Sequence, residues 1–131
     1  MQSIPETHLI DLFKELSIAV PDKFEFPFQI TYRHIEMTFD YQIYLPQNLL
    51  LYTSLGKIPE ERQLEIYKAF LEANQLWSGS GGATIGVNPK TLEGMIAYQL
   101  HFTGMELNGF ISLIEQFILL AELWRCFIEE Q

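Results

Sequence analysis

The chain has 131 residues, of which 48% are hydrophobic, so its length predicts one domain over residues 1–131 and its composition excludes wholesale disorder. Its 17 acidic and 8 basic residues give a net charge of −9. A surface of that sign repels phosphate backbones, which argues against nucleic acid as a partner.

The first predicted element is a helix over residues 7–17, where apolar side chains recur at helical spacing, and Pro21 prevents a longer helix. Apolar residues then alternate with other residues up to Tyr32, and the alternation changes phase at Arg33 and His34. A phase change marks a turn, because it would otherwise move the apolar side chains to the opposite face of the sheet. Residues 24–32 and 35–43 are therefore predicted to form a β-hairpin.

The remaining elements follow in chain order and complete an α+β pattern. They are a turn at 46–48, a third strand at 49–55, a second helix after Pro59, strands at 83–87 and 95–102 around a turn at 88–91, and a third helix at 106–129. The predicted order is α-β-β-β-α-β-β-α. The predicted fold packs these helices on a mostly antiparallel twisted sheet.

No residue pattern indicates an enzyme, so no catalytic residue is predicted. The glycine-rich run at 78–82 follows a helix and precedes a strand, which is the reverse of a phosphate-binding loop. The three histidines, His8, His34 and His101, lie in different elements without ligand spacing, so neither a metal site nor a cofactor is predicted. Cys126 is interpreted as a packing residue of the third helix.

Several features predict a cytoplasmic location. The first residues lack the basic and apolar regions of a signal peptide, and a single cysteine suits a reducing compartment. The longest apolar stretch, residues 110–128, is interrupted by Glu115, Glu122 and Arg125, as in a buried helix rather than a membrane span. The chain is therefore expected to be cytoplasmic, without membrane insertion.

Apolar side chains are more numerous than one small core obviously needs, above all in the first helix, the first hairpin and the third helix. Two interpretations stay open on composition alone: a large core that uses all of them, or a dimer interface together with a site for an extended apolar peptide. Two functions from other classes also stay open: a small-molecule-binding α+β domain and a hydrolase that uses a carboxylate pair.

Three segments of the sequence resemble one protein family. They are residues 49–59 (LLLYTSLGKIP), 69–88 (AFLEANQLWSGSGGATIGVN) and 117–125 (FILLAELWR). Together they resemble the CesT-like (Tir chaperone) family of type III secretion chaperones. The middle segment is the specific part, with leucine-x-alanine-asparagine, a short glycine-rich loop and the strand after it. The first forty residues match the family only in element order and apolar pattern.

This resemblance implies a function that residue spacing does not indicate. It implies a homodimer that binds the N-terminal chaperone-binding segment of a secreted effector, keeps it soluble and partly unfolded, and presents it for export. The effector segment would lie extended on sheet edges, with its apolar side chains in pockets of each protomer. The export ATPase of the secretion apparatus is implied as a further partner, and the chain itself is expected to use no nucleotide.

The resemblance also implies two sets of binding residues. The effector is expected to contact exposed apolar positions of the first helix and early strands: Leu9, Phe13, Leu16, Phe28, Ile30, Tyr32 and Met37. The dimer is expected to form around the second helix and the strand after it, through Tyr67, Phe70, Leu71, Leu76, Trp77, Ile85 and Val87.

Overall fold

The computed structural model describes residues 11, 13–14, 27–42, 45–101 and 106–129. Within the first predicted helix, Asp11, Phe13 and Lys14 are helical. The strands are β1 Phe28–Tyr32, β2 Ile35–Gln42, β3 Leu45–Lys57, β4 Thr84–Val87 and β5 Glu93–His101. The α-helices are α1 Gln63–Asn74 and α2 Leu107–Glu129, and short 3-10 helices cover Glu60–Arg62 and Gln75–Trp77.

The strands form one antiparallel sheet in the order β1-β2-β3-β5-β4. Ile30 of β1 is paired with Met37 of β2, and Ile85 of β4 is paired with Ile96 of β5. The predicted α+β fold class is confirmed. Among the strands that the structure describes, β1 and β4 are the outer ones, and each pairs with one described neighbour.

The phase change at Arg33 and His34 corresponds to the turn between β1 and β2, as predicted. Both residues have positive φ, 52° and 70°, which the commonest two-residue hairpin turns require. Because neither is a glycine, the turn costs about 1–2 kcal/mol per residue. The Arg33 guanidinium offsets part of that cost, since it lies 5.3 Å from the centre of the Tyr32 ring and 2.7 Å from a carboxylate oxygen of Glu115.

One predicted turn is wrong. Residues 46–48 do not reverse the chain, because β3 runs without interruption from Leu45 to Lys57. Proline lacks a backbone N–H but is tolerated near the start of a strand, and Pro46 is the second residue of β3. Residues 43 and 44, between β2 and β3, lie outside the described residues.

Both α-helices lie where the sequence predicts them. Pro59 precedes the first 3-10 turn, and α1 continues from there to Asn74. After Asn74 the helical path ends, because Leu76 and Trp77 adopt positive φ of 53° and 56°. The last helix, α2, spans Leu107–Glu129 and so begins one residue after the predicted start.

The chain divides into two compact units with separate sets of buried residues. The first unit comprises Met1–Leu51 and Gln99–Glu115, and its buried apolar residues include Phe13, Ile30, Ile35, Met37, Phe39, Leu49, Leu51, Leu100, Phe110 and Ile114. The second comprises Tyr52–Tyr98 and Gln116–Gln131, and its buried apolar residues include Leu55, Ile58, Ile66, Phe70, Ala73, Ala83, Ile85, Ile96, Phe117, Ile118, Ala121 and Ile128. The expectation of a single domain stays a prediction.

Candidate binding surfaces

Phe13, a predicted effector contact, lies inside the first unit. Its side chain has 0% exposure, and its ring centre lies 5.3 Å from that of Phe39 and 5.8 Å from that of Phe110. Aromatic pairs at such distances add about 0.5–1.5 kcal/mol to the stabilisation from burial. Phe13 is therefore a core residue of this unit, and its contact with an effector stays a prediction.

The hairpin residues of the effector set are mostly buried as well. Ile30 and Met37 are paired across β1 and β2 and have 4% and 0% exposure. Tyr32, at the end of β1, is half-buried, and its ring faces the Arg33 guanidinium. Among the predicted effector residues whose side chains are described, Tyr32 is thus the one that reaches the surface.

The other members of the effector set lie outside the description. Leu9 and Leu16 are not among the described residues, and the side chain of Phe28 is not described either. The backbone of Phe28 opens β1 and is paired with Phe39 of β2. The effector contacts of these residues stay predictions.

The outer side of β1, which no described strand covers and which is called its open side below, offers hydrogen-bonding groups to a peptide. The two-residue turn begins directly after Tyr32, so Tyr32 and Ile35 form a hydrogen-bonded pair of the antiparallel ladder. Such pairs alternate with non-hydrogen-bonded pairs, which places the backbone N–H groups of Gln29 and Thr31 on the open side. The side chains of Gln29 and Thr31 are exposed. This edge can therefore accept a further strand.

In the second unit, an uncharged segment begins at the end of α1 and is hydrogen-bonded to β4. The Asn74 side chain donates a hydrogen bond to the Ile85 carbonyl at 2.7 Å and accepts one from the Ile85 N–H at 2.9 Å. Leu76 and Trp77 follow, with 78% and 57% exposure. Residues 73–89 contain no charged side chain. The large apolar side chains of Leu76 and Trp77 are therefore exposed to water, on a loop whose start is hydrogen-bonded to β4.

The predicted dimer residues differ in exposure. Leu71, Leu76 and Trp77 are exposed, Tyr67 and Val87 are half-buried, and Phe70 and Ile85 are buried. The Phe70 ring lies 5.5 Å from the Trp124 ring, inside the same unit. The exposed members lie on α1 and the loop after it, whereas the buried members stabilise the unit from within. Their role in a dimer stays a prediction.

Among the described residues, four further exposed leucines are absent from the predicted sets: Leu64, Leu92, Leu119 and Leu123. Leu64 has 85% exposure and lies two turns before Leu71 on the same row of α1. Leu119 and Leu123 of α2 have 57% and 58% exposure and lie outside the apolar stripe predicted for that helix. Helical periodicity identifies the buried face of a helix. Large apolar residues outside that face were therefore the sequence signal that could have identified Leu64, Leu119 and Leu123.

Two carboxylates in the described part of the chain have a lowered pKa. A hydrogen bond from Arg62 is the main cause that lowers the pKa of Glu65, and hydrogen bonds from Ser54 and Thr91 lower the pKa of Glu93. A lowered pKa keeps a carboxylate ionised, whereas a general acid needs a raised one. These two carboxylates therefore serve as hydrogen-bond acceptors.

Cys126 is exposed, so its interpretation as a packing residue is wrong: it lies on the outer side of α2. No three of the described His, Cys, Asp and Glu residues lie close enough to hold a metal ion. Among the described helices, none has both the length and the apolar character needed to span a membrane.

Comparison with known sequences identifies one family. The sequence profile of the Tir chaperone protein (CesT) family matches residues 44–125. No curated protein sequence matches the chain significantly.

Several solved structures match the fold over nearly the full chain. A chain of the heterodimeric ExoU–SpcU complex from the type III secretion system of Pseudomonas aeruginosa has 11% identity and a TM-score of 0.73, with 92% of this chain and 98% of that chain covered. A chain of the ExsC–ExsE complex has 14% identity and a TM-score of 0.75, with 98% and 96% covered. The structure of the Yersinia pestis type III secretion chaperone SycH with a fragment of YscM2 gives 14% identity and a TM-score of 0.68, with 92% and 98% covered. At such identities the likeness establishes the fold.

Proposed function

Because the chain belongs to the Tir chaperone protein (CesT) family, it is a type III secretion chaperone that binds effectors, and we propose a mode of binding. The chaperone holds the N-terminal segment of a secreted effector in an extended form, keeps it soluble and partly unfolded, and presents it for export. The family match over residues 44–125 carries the function. The open edge of β1 supports the binding of this segment in an extended form.

An effector segment adds a strand to β1. Its backbone pairs with the outward N–H and C=O groups of Gln29 and Thr31, which tolerate many side-chain sequences. Tyr32 supplies apolar contact at the end of the strand, beside the Arg33 guanidinium. Ordering the peptide costs about 2–5 kcal/mol, so the effector must contact more surface than one strand edge provides.

The buried members of the effector set contribute indirectly in this proposal. Phe13, Ile30 and Met37 hold the hairpin in shape, so that its edge is ready before the effector arrives. Leu9, Leu16 and Phe28 complete the contact surface as predicted.

The functional form is a cytoplasmic homodimer that catalyses no reaction. Two protomers present two sites to one effector chain, which raises the effective concentration for the second contact. The exposed residues Leu71, Leu76 and Trp77 support an interface on α1 and the loop after it. The export ATPase then receives the chaperone–effector complex.

The experiment is co-purification with effectors encoded beside the gene, using Thr31→Pro as the decisive variant. Proline removes the outward N–H of Thr31 and leaves the hydrogen bonds to β2 in place. We expect Thr31→Pro to reduce effector capture by about tenfold or more, because it deletes a strand-pairing hydrogen bond and also blocks close approach of the peptide.

Thr31→Val is the matched control, because it changes the side chain and keeps the N–H. Circular dichroism and urea unfolding verify that both variants are folded. Normal capture by folded Thr31→Pro would contradict pairing at β1. Failure of the wild-type chain to capture any of these effectors would contradict the function itself.

A further inference from the structure

The turn between β1 and β2 has a sequence that does not suit its backbone conformation. Arg33 and His34 both have positive φ, 52° and 70°, and two-residue hairpin turns of this kind favour asparagine followed by glycine. A residue with a Cβ atom is strained at positive φ, and neither of these two is a glycine. Strained backbone that the surrounding structure holds in place is concentrated at functional sites. The turn is therefore a place to look for a side chain with a role beyond stability.

The Arg33 side chain supplies a contact that holds this turn. Its guanidinium donates to a carboxylate oxygen of Glu115 at 2.7 Å, so it connects two positions that are 82 residues apart in sequence. Glu115 follows Ile114 on α2, and the completely buried Ile114 side chain fixes this part of the helix within the first unit. The guanidinium also lies 5.3 Å from the centre of the Tyr32 ring. Arg33 thus connects the tip of the hairpin to α2.

The geometry of the turn determines how β1 presents its open edge. In a β-hairpin, the type and length of the turn fix the register of the two strands. A slip of one residue would move Gln29 and Thr31 to the buried face and Ile30 to the exposed face, and it would change which N–H groups point outwards. Tyr32 directly precedes the turn, so the position of its ring follows that of the turn.

The ion pair between Arg33 and Glu115 suits a positioning role better than a stabilising one. The two side chains are 54% and 42% exposed, and exposed ion pairs add little to the free energy of unfolding. The same small free energy is enough to change the populations of two local conformations severalfold. A ligand that binds one of these conformations has an apparent Kd that rises as the fraction of molecules in that conformation falls.

We propose that Arg33 is a positioning residue for effector binding. Through its ion pair with Glu115 it holds the turn in the register that presents the open edge of β1 and the Tyr32 ring to the effector segment. Arg33 acts on the hairpin rather than on the effector itself. This role rests on the proposed binding of the effector at the β1 edge, and it adds a residue outside the predicted effector set.

The first measurement uses the free protein and needs no effector. Tyr32 and Ile35 form the hydrogen-bonded pair beside the turn, so hydrogen exchange at the Ile35 N–H, followed by NMR, measures opening of the turn. We expect Arg33→Gln and Glu115→Gln each to speed this exchange about three- to fivefold, while the midpoint of urea unfolding stays nearly unchanged. Lys90→Gln is the matched control, because it removes a positive charge from an exposed residue of the turn between β4 and β5.

The second measurement is the affinity for an effector that the wild-type chain captures, with its labelled N-terminal segment as the probe. We expect fluorescence anisotropy to give a Kd about three- to fivefold higher for Arg33→Gln and for Glu115→Gln. The double variant should have the same Kd as either single variant, because each change removes the same contact. Arg33→Asn combined with His34→Gly should restore the wild-type Kd, since asparagine followed by glycine adopts this turn without the contact to Glu115.

Several outcomes overturn the proposal. Unchanged exchange at Ile35 in Arg33→Gln would show that the turn does not depend on the ion pair. Faster exchange with an unchanged Kd, in a chain whose Thr31→Pro variant loses effector capture, would overturn the role of Arg33 and leave the binding mode intact. Additive losses in the double variant, or a Kd that stays high when Arg33→Asn is combined with His34→Gly, would show that Arg33 contacts the effector directly. A wild-type chain that captures no effector would contradict the proposed function itself, and that result is obtained before any variant is compared.

Discussion

Arg62 connects the start of α1 to the end of α2 within the second unit. Its guanidinium donates to the carbonyls of Phe127 and Ile128, at 2.9 Å each, and to both carboxylate oxygens of Glu65. Phe127 and Ile128 belong to the last turn of α2, where carbonyls lack partners within the helix. A positive charge at this end also favours the helix dipole.

We predict that Arg62→Lys lowers the free energy of unfolding by about 1–3 kcal/mol, measured by urea denaturation. An ammonium group cannot reproduce the planar fork that reaches two carbonyls and a carboxylate together. Arg33→Lys is the control, since the Arg33 side chain is 54% exposed and its ion pair with Glu115 is worth about 1 kcal/mol or less. Equal losses in the two variants would contradict the capping role of Arg62.

The ion pair between Arg62 and Glu65 makes the stability of the protein depend on pH. The hydrogen bond from Arg62 lowers the pKa of Glu65 below its ordinary value of 4.5. Because the folded pKa lies below the unfolded one, this contribution to stability is present above pH 4.5 and is lost as the pH falls through the folded pKa. Arg62→Lys should therefore show a weaker loss of stability on acidification than the wild-type chain.

At the scale of elements, two turns could be predicted because each has a local sequence signal. The phase change at Arg33 located the first hairpin, and Asn88 located the last. The Asn88 side chain accepts a hydrogen bond from the Lys90 N–H at 2.9 Å, and its carbonyl accepts one from the Leu92 N–H at 2.7 Å. Such side-chain to backbone bonds are local, so they can be read from the sequence.

The exposure of a residue and the path of a strand depend on more than local sequence. Pro46 suggested a turn, but its position in β3 allows the strand to continue. Phe13 and Met37 lie on apolar rows, and periodicity assigns them to a face without saying what covers it. Both are buried, Phe13 against Phe110, and this burial depends on the packing of the first unit. Periodicity therefore predicts which residues share a face, whereas their exposure depends on contacts between distant parts of the chain.

The end of α1 predicts a stabilising substitution. Leu76 has φ of 53° and is 78% exposed, so its side chain gains little burial from a strained backbone. We predict that Leu76→Gly raises the free energy of unfolding by about 1 kcal/mol in urea denaturation, because glycine adopts positive φ without a steric cost.

Leu71→Gly is the matched control for this substitution. Leu71 is similarly exposed, at 73%, and belongs to the same proposed dimer surface, but it lies inside α1. Glycine there is expected to lower the free energy of unfolding by about 1 kcal/mol. Both variants remove one exposed leucine, so any loss of dimer contact is shared. A loss in both would show that side-chain contacts outweigh backbone strain at Leu76.

At the scale of the whole molecule, net charge and exposed apolar area have opposite effects on the association of two chains. A net charge of −9 keeps the chains apart in solution, while residues 73–89 form an uncharged segment with two large exposed side chains. Two copies can approach with least repulsion where charge is absent. The uncharged segment and the Leu64–Leu71 row of α1 therefore favour a dimer surface on α1 and the loop after it.

We predict that Leu71→Asp dissociates the homodimer, so that light scattering over a range of concentrations gives 15.3 kDa rather than twice that mass. A buried aspartate would lose its water without gaining a partner, and a two-fold axis would place two copies of it in one interface. Leu123→Asp introduces the same charge at an exposed leucine on α2 and should leave the dimer intact. A wild-type chain that stays monomeric, or dissociation by Leu123→Asp alone, would contradict an interface on α1.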